Sequence, residues 1–74
     1  MSVVVLSKPN CVQCSATERA LTKSGIEFTK RDMTQDEEAY DLAVSLGYQA
    51  APVVIAGDQH WGGFRPEKIA SLVA

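Results

Sequence analysis

The sequence contains few of the residues that metal centres, nucleic-acid interfaces and membrane spans require. Its 74 residues include two cysteines, one histidine and one tryptophan. Seven basic residues stand against nine acidic ones, and a net charge of -2 gives no case for binding nucleic acid or a membrane surface. No apolar run approaches the roughly 18 residues of a membrane span. The length allows one small domain, and we expect residues 1–74 to form it.

The N-terminal residues do not follow the pattern of an export signal. Such a signal begins with basic residues and continues into an apolar segment, whereas here Lys8 follows the apolar run of residues 3–6. We therefore expect a cytoplasmic, reducing environment. In that environment a lone Cys-x-x-Cys motif is more often catalytic than structural.

Both cysteines belong to one Cys-x-x-Cys motif, Cys11-Val12-Gln13-Cys14. An apolar strand that leads into this motif at the start of a helix is typical of dithiol–disulfide redox proteins. Free N–H groups at a helix N-terminus stabilise a thiolate, which is the form that attacks a disulfide. A cysteine one turn further on can attack the resulting mixed disulfide. We therefore expect Cys11 to be the nucleophile and Cys14 the resolving thiol.

Three other interpretations of the pair are available from the residues. A structural disulfide across so short a loop would stabilise the fold by only about 2 kcal/mol. A zinc site needs four ligands, and beyond the two sulfurs the chain offers only His60 and carboxylates. The cysteines could also be inert core residues. A dithiol redox centre remains the favoured interpretation, with a zinc-binding or adaptor module as the alternative of another class.

Hydrophobic periodicity predicts seven elements in the order β-α-β-α-β-β-α. Strands are predicted at residues 3–6, 26–30, 52–55 and 59–61. The first helix is predicted to begin after Asn10 as its N-cap and to end at Gly25. The second begins with a capping box of Thr34 and Glu37, and the third begins at Pro66. The Gly57-Asp58 turn makes the last two strands antiparallel, while the direction of the third strand stays open.

This order, with Cys-x-x-Cys after the first strand, resembles the thioredoxin fold in its small glutaredoxin-like form. It resembles most closely the NrdH-type redoxins, which deliver electrons to a ribonucleotide reductase. The residues that carry the resemblance are Cys11–Cys14, Ala51–Ile55 and Trp61–Pro66. The resemblance implies an α/β fold with a central four-stranded mixed sheet flanked by helices, in which the third strand opposes the first.

The resemblance also implies partners. Electrons would come from NADPH through a thioredoxin reductase, in place of glutathione, and would pass to the large subunit of ribonucleotide reductase. This chain would bind no cofactor itself, because NADPH and FAD belong to the reductase, and we expect it to act as a monomer. A glutathione-dependent glutaredoxin, with the same chemistry and another donor, is the rival within the family.

Eleven further residues are candidates for contact with a substrate or partner. By resemblance Pro52 follows a cis peptide bond and faces the cysteines between Ala51 and Val53, and Gly62-Gly63 leaves room there for a substrate strand. Trp61 is interpreted as an exposed anchor in preference to a core residue, and His60 as a surface residue. Lys8 is either a cation that stabilises the Cys11 thiolate or a loop lysine in water. Arg65 is either a solvated residue at the start of a helix or a contact for an acidic segment of a partner. The whole set is Lys8, Val12, Gln13, Ala51, Pro52, Val53, Trp61, Gly62, Gly63, Phe64 and Arg65.

Overall fold

The computed structural model describes residues 2–73, which form the seven elements in the predicted order. The strands are β1 (Val3–Ser7), β2 (Thr29–Asp32), β3 (Val53–Ala56) and β4 (Gln59–Gly62). The helices are α1 (Val12–Lys23), α2 (Glu37–Ser45) and α3 (Pro66–Ser71). No helix within residues 2–73 has the length and hydropathy needed to cross a membrane.

The four strands form one mixed sheet in the order β2-β1-β3-β4. Strand β1 is parallel to β2 and antiparallel to β3, and β3 and β4 form the antiparallel hairpin. Val5 lies opposite Lys30 on one side and Val54 on the other. The predicted α/β fold with a mixed sheet is therefore confirmed, including the antiparallel third strand that the resemblance implied.

The sheet is covered by helices on both faces. Neighbouring residues of a strand point to opposite faces, so Val5 belongs to one core cluster and Leu6 to the other. Leu21 of α1 and Ile69 of α3 pack in the first cluster, and Ala43 of α2 packs in the second. Fully burying a side chain such as Leu21 contributes about 1.5–3 kcal/mol. Because α1 is fixed in this way, its N-terminus lies at the end of β1.

Strand β2 begins at Thr29, three residues later than predicted. The N–H of Ile26 donates to the carbonyl of Leu21 at 2.9 Å, and that of Gly25 donates to Thr22 at 3.0 Å. With Gly25 at φ 75°, these two bonds are the Schellman ending of α1. The N–H of Ile26 therefore takes part in the end of α1 and not in a strand, and its side chain packs on the first core cluster. The alternating pattern of this segment reflected core contacts and not a strand.

The capping box predicted for α2 is wrong, since the helix begins at Glu37 with Asp36 as its N-cap. Asp36 Oδ1 accepts a hydrogen bond from the N–H of Ala39 at 3.2 Å. Thr34 instead donates from its N–H and its hydroxyl to Asp32 Oδ1, at 2.8 and 2.6 Å. The carboxylate of Asp32 thus holds Thr34 in a turn before the helix begins.

Asp36 also links α2 to β2, and this makes the stability of the fold depend on pH. Arg31 donates from Nε and Nη2 to Asp36 Oδ2, each at 2.7 Å. The hydrogen bond from Arg31, followed by that from Ala39, lowers the pKa of the Asp36 carboxyl. A carboxyl whose pKa is lowered by folding stabilises the fold above its unfolded pKa of about 4 and stops doing so as the pH falls through its folded pKa.

We expect Asp36→Asn to be less stable than the wild type at pH 7, because asparagine keeps the cap but loses the ion pair with Arg31. The difference should shrink as the pH falls below 4, where the wild-type carboxyl takes up its proton. Urea midpoints across this range measure the effect, and Asp58→Asn in the exposed hairpin turn is the control. A difference that stays constant with pH would contradict this account of the pair.

Tyr48 fills the space that Gly62 leaves open. A Cβ atom at Gly62 would lie 3.0 Å from Cδ1 of Tyr48. The tyrosine cannot easily move away, because its hydroxyl lies 2.7 Å from His60 Nδ1 and the two rings stack edge to face at 5.5 Å. His60 is exposed, as predicted, but its ring is paired with Tyr48.

We expect Gly62→Ala to lower the free energy of unfolding by about 1 kcal/mol, since the added methyl group must displace a pinned ring. Urea denaturation gives the value. In a Tyr48→Ala background the same substitution should cost nearly nothing, because the space is then free. Equal costs in both backgrounds would show that Tyr48 is not the group that excludes a side chain at Gly62.

Candidate active site

The loop after β1 brings Cys11 to the start of α1 as the N-cap residue itself. The prediction that Asn10 caps this helix is wrong, because Asn10 has a left-handed backbone with φ 58°. Asparagine tolerates that conformation better than most residues. Cys11 follows in an extended conformation, and its Sγ accepts a hydrogen bond from the N–H of Cys14 at 3.2 Å. The cap position, normally held by a Ser or Asp oxygen, is held here by a redox-capable sulfur.

Cys11 and Cys14 are joined in a disulfide, with their Cα atoms 5.2 Å apart. The two sulfurs differ in their surroundings, because Cys11 is half-buried while Cys14 is only 3% exposed. The outer residue is therefore the one that another molecule can reach. In the reduced form, the N–H donor and the helix dipole at Cys11 favour a negative charge on its sulfur.

The two residues between the cysteines are the first two residues of α1. Val12 is 83% exposed, and Gln13 is exposed as well. The hydroxyl of Thr17, which is fully buried, donates a hydrogen bond to the carbonyl of Gln13 at 2.8 Å. Thr17 was not among the predicted site residues. Its only sequence signal was a hydroxyl one helical turn after Gln13, which is a common pattern.

The loop before β3 contains the cis peptide bond Ala51–Pro52, as the resemblance implied. Pro52 is buried, and its carbonyl accepts a hydrogen bond from the N–H of Gly63 at 2.8 Å. Ala51 is half-buried, and within residues 2–73 its own N–H and C=O have no hydrogen-bond partner. These two backbone groups are free to pair with an incoming chain. Val53 is fully buried in β3 and supports the loop from the core.

The interpretation of Trp61 as an exposed anchor is wrong. Trp61 is 3% exposed and packs in the first core cluster, opposite Val54 in the hairpin. Its neighbour His60 points to the opposite face of the sheet, so alternation along β4 places the indole inside. A partner cannot use this side chain without disrupting the core.

The two glycines after Trp61 have different surroundings. The room predicted for a substrate at Gly62 is already filled by Tyr48. At Gly63, with φ 81°, a Cβ atom would lie 3.5 Å from Gln13 Oε1. Gly63 therefore lies against Gln13 at the start of α1, and the positive φ rather than the space accounts for glycine there.

The two charged candidates, Lys8 and Arg65, have different surroundings. Lys8 is exposed and, together with Cys11 and Cys14, lines a surface cavity of about 440 Å³. Arg65 Nε donates to Glu67 Oε1 at 2.6 Å, and this hydrogen bond lowers the pKa of the Glu67 carboxyl. Arg65 therefore carries an ion pair on the surface, and the first carboxylate of α3 is already engaged. Phe64, beside it, is partly exposed.

A second cavity, of about 510 Å³, adjoins the cis-proline loop. It is bounded by Lys8, Met33, Tyr40 and Ala51, among others. No sequence motif marked Met33 or Tyr40 as candidate site residues. Tyr40 follows the buried Ala39 on the predicted helix. Its exposure of 53%, which only the structure reveals, shows that it is a surface residue and not a core residue.

Residues 2–73 hold no group of three or more His, Cys, Asp and Glu side chains placed to bind a metal ion. The two sulfurs therefore have no partner ligands around them within that range. The arrangement is suited to thiol–disulfide exchange, with a reachable sulfur at Cys11 and a buried second sulfur at Cys14.

Comparison with known proteins gives a consistent family. The glutaredoxin family model matches residues 3–61. The glutaredoxin-like protein NrdH of Salmonella typhimurium is 42% identical, over 97% of this chain and 89% of that protein. NrdH of Lactococcus lactis subsp. cremoris is 34% identical, over 95% of this chain and 97% of that protein.

Comparison with solved structures leads to the same family. NrdH-redoxin from Escherichia coli, described as having a thioredoxin-like activity profile, superposes with a TM-score of 0.92 at 39% identity, over 97% of this chain and 95% of that one. A buckwheat glutaredoxin solved with glutathione gives 0.75 at 25% identity, over 96% and 70% of the two chains. With its Cys-x-x-Cys pair at the head of α1, the chain belongs to the glutaredoxin family, among its NrdH-type redoxins, and is a thiol–disulfide oxidoreductase.

Proposed function

We propose that this protein is a cytoplasmic, monomeric electron carrier between thioredoxin reductase and the large subunit of ribonucleotide reductase. The observation that carries the proposal is the asymmetry of the two sulfurs, an outer Cys11 with an N–H donor and a buried Cys14. The relatives named NrdH and the thioredoxin-like activity profile of the Escherichia coli protein support the choice of partners.

The reaction begins with the reduced protein. The Cys11 thiolate attacks one sulfur of the substrate disulfide, whose S–S bond breaks, and the other substrate sulfur leaves and takes up a proton. Cys14 then loses its proton and attacks the Cys11 sulfur of the mixed disulfide. This second exchange releases the second substrate thiol and forms the Cys11–Cys14 disulfide. Two electrons and two protons have passed to the substrate.

The substrate segment is proposed to lie beside Cys11 in an extended conformation. Ala51 offers it one backbone donor and one acceptor, on a loop fixed by the buried Pro52 and Val53. The segment would pass between the start of α1, at Val12 and Gln13, and the turn after β4. The surroundings of the segment would also include Lys8, Gly63, Phe64 and Arg65. Trp61 and Gly62 would not touch the segment but would support this surface, Trp61 from the core and Gly62 through its packing against Tyr48.

Thioredoxin reductase is favoured over glutathione as the donor because the start of α3 is poorly suited to a charged tripeptide. Glutathione presents two carboxylates and an ammonium group, which need matching charges and N–H donors. Pro66 at the first position of α3 has no N–H, and Arg65 repels the ammonium. The nearest carboxylate, Glu67, is paired with Arg65. Reduction of the Cys11–Cys14 disulfide by NADPH through the flavin of the reductase would close the cycle.

The test is a reconstituted ribonucleotide reductase assay with two donor systems side by side. One contains NADPH and thioredoxin reductase, and the other contains NADPH, glutathione reductase and millimolar glutathione. We expect product to depend on this protein and to form rapidly with thioredoxin reductase and slowly with glutathione. Equal or faster turnover with glutathione would make the protein a glutathione-dependent glutaredoxin instead.

A further inference from the structure

The resolving step of the exchange removes a proton from a sulfur that solvent can hardly reach. Cys14 is 3% exposed, and burial disfavours the negative charge that its sulfur needs in order to attack. A group that takes this proton within the protein would therefore speed the release of the substrate. Such a group must lie in contact with the Cys14 sulfur or one water molecule away from it.

Glu18 lies where such a group is needed. It follows Cys14 by four positions in α1, so the two side chains share one face of the helix, with Cβ atoms about 5–6 Å apart. Helical side chains lean toward the N-terminus, and this brings the Glu18 carboxylate toward Cys14. Both residues line the cavity of about 440 Å³ that also contains Cys11. Among the residues that the structure describes, Glu18 is the only carboxylate that lines this cavity.

The other charged groups around Glu18 are cations, which donate protons and do not accept them. Lys30 Nζ of β2 lies 3.5 Å from Glu18 Oε1, and Lys8 lines the same cavity. Arg19 and Lys23 line a neighbouring cavity together with Glu18. The Lys30 and Glu18 side chains are 57% and 21% exposed, and an ion pair so open to solvent contributes little to stability. The pair does, however, restrict the carboxylate to the cavity that holds the sulfurs.

We propose that Glu18 is the proton acceptor for Cys14 in the resolving step and that Lys30 positions its carboxylate. The carboxylate takes the proton of the Cys14 thiol, directly or through one water molecule. The Cys14 sulfur bonds to Cys11 Sγ, the bond between Cys11 Sγ and the substrate sulfur breaks, and the substrate leaves as a thiolate. Glu18 then passes the proton to that thiolate or to water. This inference rests on the two-step exchange proposed above, to which it adds the group that moves the proton.

The two steps can be timed separately with an aryl disulfide whose leaving thiolate is coloured, such as dithiobis(nitrobenzoate). The reduced full chain is mixed with an equal amount of this reagent in a stopped-flow instrument. The first coloured thiolate marks the attack by Cys11, and its rate depends on concentration. The second marks the resolution by Cys14, and its rate does not. We expect Glu18→Gln to slow the second phase roughly a hundredfold, at the low end of what a positioned base contributes, without slowing the first.

Two further readouts separate a proton acceptor from a structural residue. In the wild type the second phase should vary little near neutral pH, because the proton passes to a group within the protein. In Glu18→Gln it should rise about tenfold per pH unit, because only the small fraction of Cys14 already ionised can react. Imidazole added as an external base should accelerate the second phase of Glu18→Gln and not that of the wild type.

The matched control is Glu27→Gln, which makes the same chemical change at an exposed residue outside the cavity. It should leave both phases unchanged. Lys30→Gln should slow the second phase less than Glu18→Gln does, since the carboxylate remains but is no longer held. Urea midpoints of all three variants should stay close to that of the wild type, because the ion pair is open to solvent.

An unchanged second phase in Glu18→Gln would mean that the departing substrate sulfur or water takes the proton, and it would overturn the proposal. A slowed second phase that stays flat with pH and does not respond to imidazole would give Glu18 a structural role and would overturn it as well. A wild-type chain that releases only one coloured thiolate would instead contradict the two-step exchange itself.

Discussion

Cys11→Ser is expected to abolish disulfide reduction, whereas Cys14→Ser is expected to complete the first attack and then stop as a mixed disulfide with its substrate. The reason lies in the start of α1. Cys11 is the N-cap, its sulfur accepts the N–H of Cys14, and it is the more exposed of the pair. Cys14 is 3% exposed, so the sulfur that it attacks is that of Cys11, once Cys11 is part of the mixed disulfide.

The mixed disulfide can be detected by mass spectrometry after acid quenching, and the double variant Cys11→Ser/Cys14→Ser gives the background. The size of the effect should be extreme, because no other cysteine exists in the chain to replace either one. Alkylation of the reduced wild type at mildly acidic pH gives an independent check, since the more acidic thiol reacts first. Labelling of Cys14 before Cys11 would reverse the assignment.

Acidic residues at the start of α3 are expected to turn this protein toward glutathione. In the variant Phe64→Asp/Arg65→Asp, one aspartate replaces a bulky apolar group and the other replaces the cation that repels an ammonium. A gained charge-assisted contact of about 1.5–3 kcal/mol corresponds to roughly a ten- to hundredfold gain in affinity. Turnover with glutathione and its reductase should rise accordingly, as a lower KM for glutathione.

Arg65→Ala is the control for this variant, because it releases Glu67 from its ion pair without adding a carboxylate at the cap. It should gain less than the double variant. An equal gain would mean that the Arg65–Glu67 pair alone limits glutathione use. No gain in either variant would mean that the start of α3 does not decide the donor.

The order of elements was predictable because each element is marked locally. Gly25 and Gly47 end α1 and α2 with positive φ, Pro66 begins α3, and Gly57 turns the hairpin. The ends of elements were less predictable, because two groups competed for the same position. Asp36 took the cap predicted for Thr34, since Asp32 had already engaged Thr34 through two hydrogen bonds.

The redox pair was predictable from its spacing alone, but its surroundings depend on contacts between distant segments. Trp61 was placed on the wrong side because its burial depends on pairing with Val54, which the residues around it do not reveal. The role of Gly62 depends on Tyr48, fourteen positions earlier in the sequence numbering.

The central claim is that the Cys11–Cys14 disulfide carries two electrons from thioredoxin reductase, and a stoichiometric titration tests it most directly. The oxidised protein is mixed with catalytic thioredoxin reductase and with NADPH in excess over the chain, the NADPH consumed is read by absorbance, and the thiols are alkylated and counted by mass. We predict one NADPH consumed and two thiols gained per chain, on Cys11 and Cys14, and no zinc in metal analysis of the same sample. A chain that consumes no NADPH and gains no thiols, or one that holds stoichiometric zinc between its cysteines, would contradict the account.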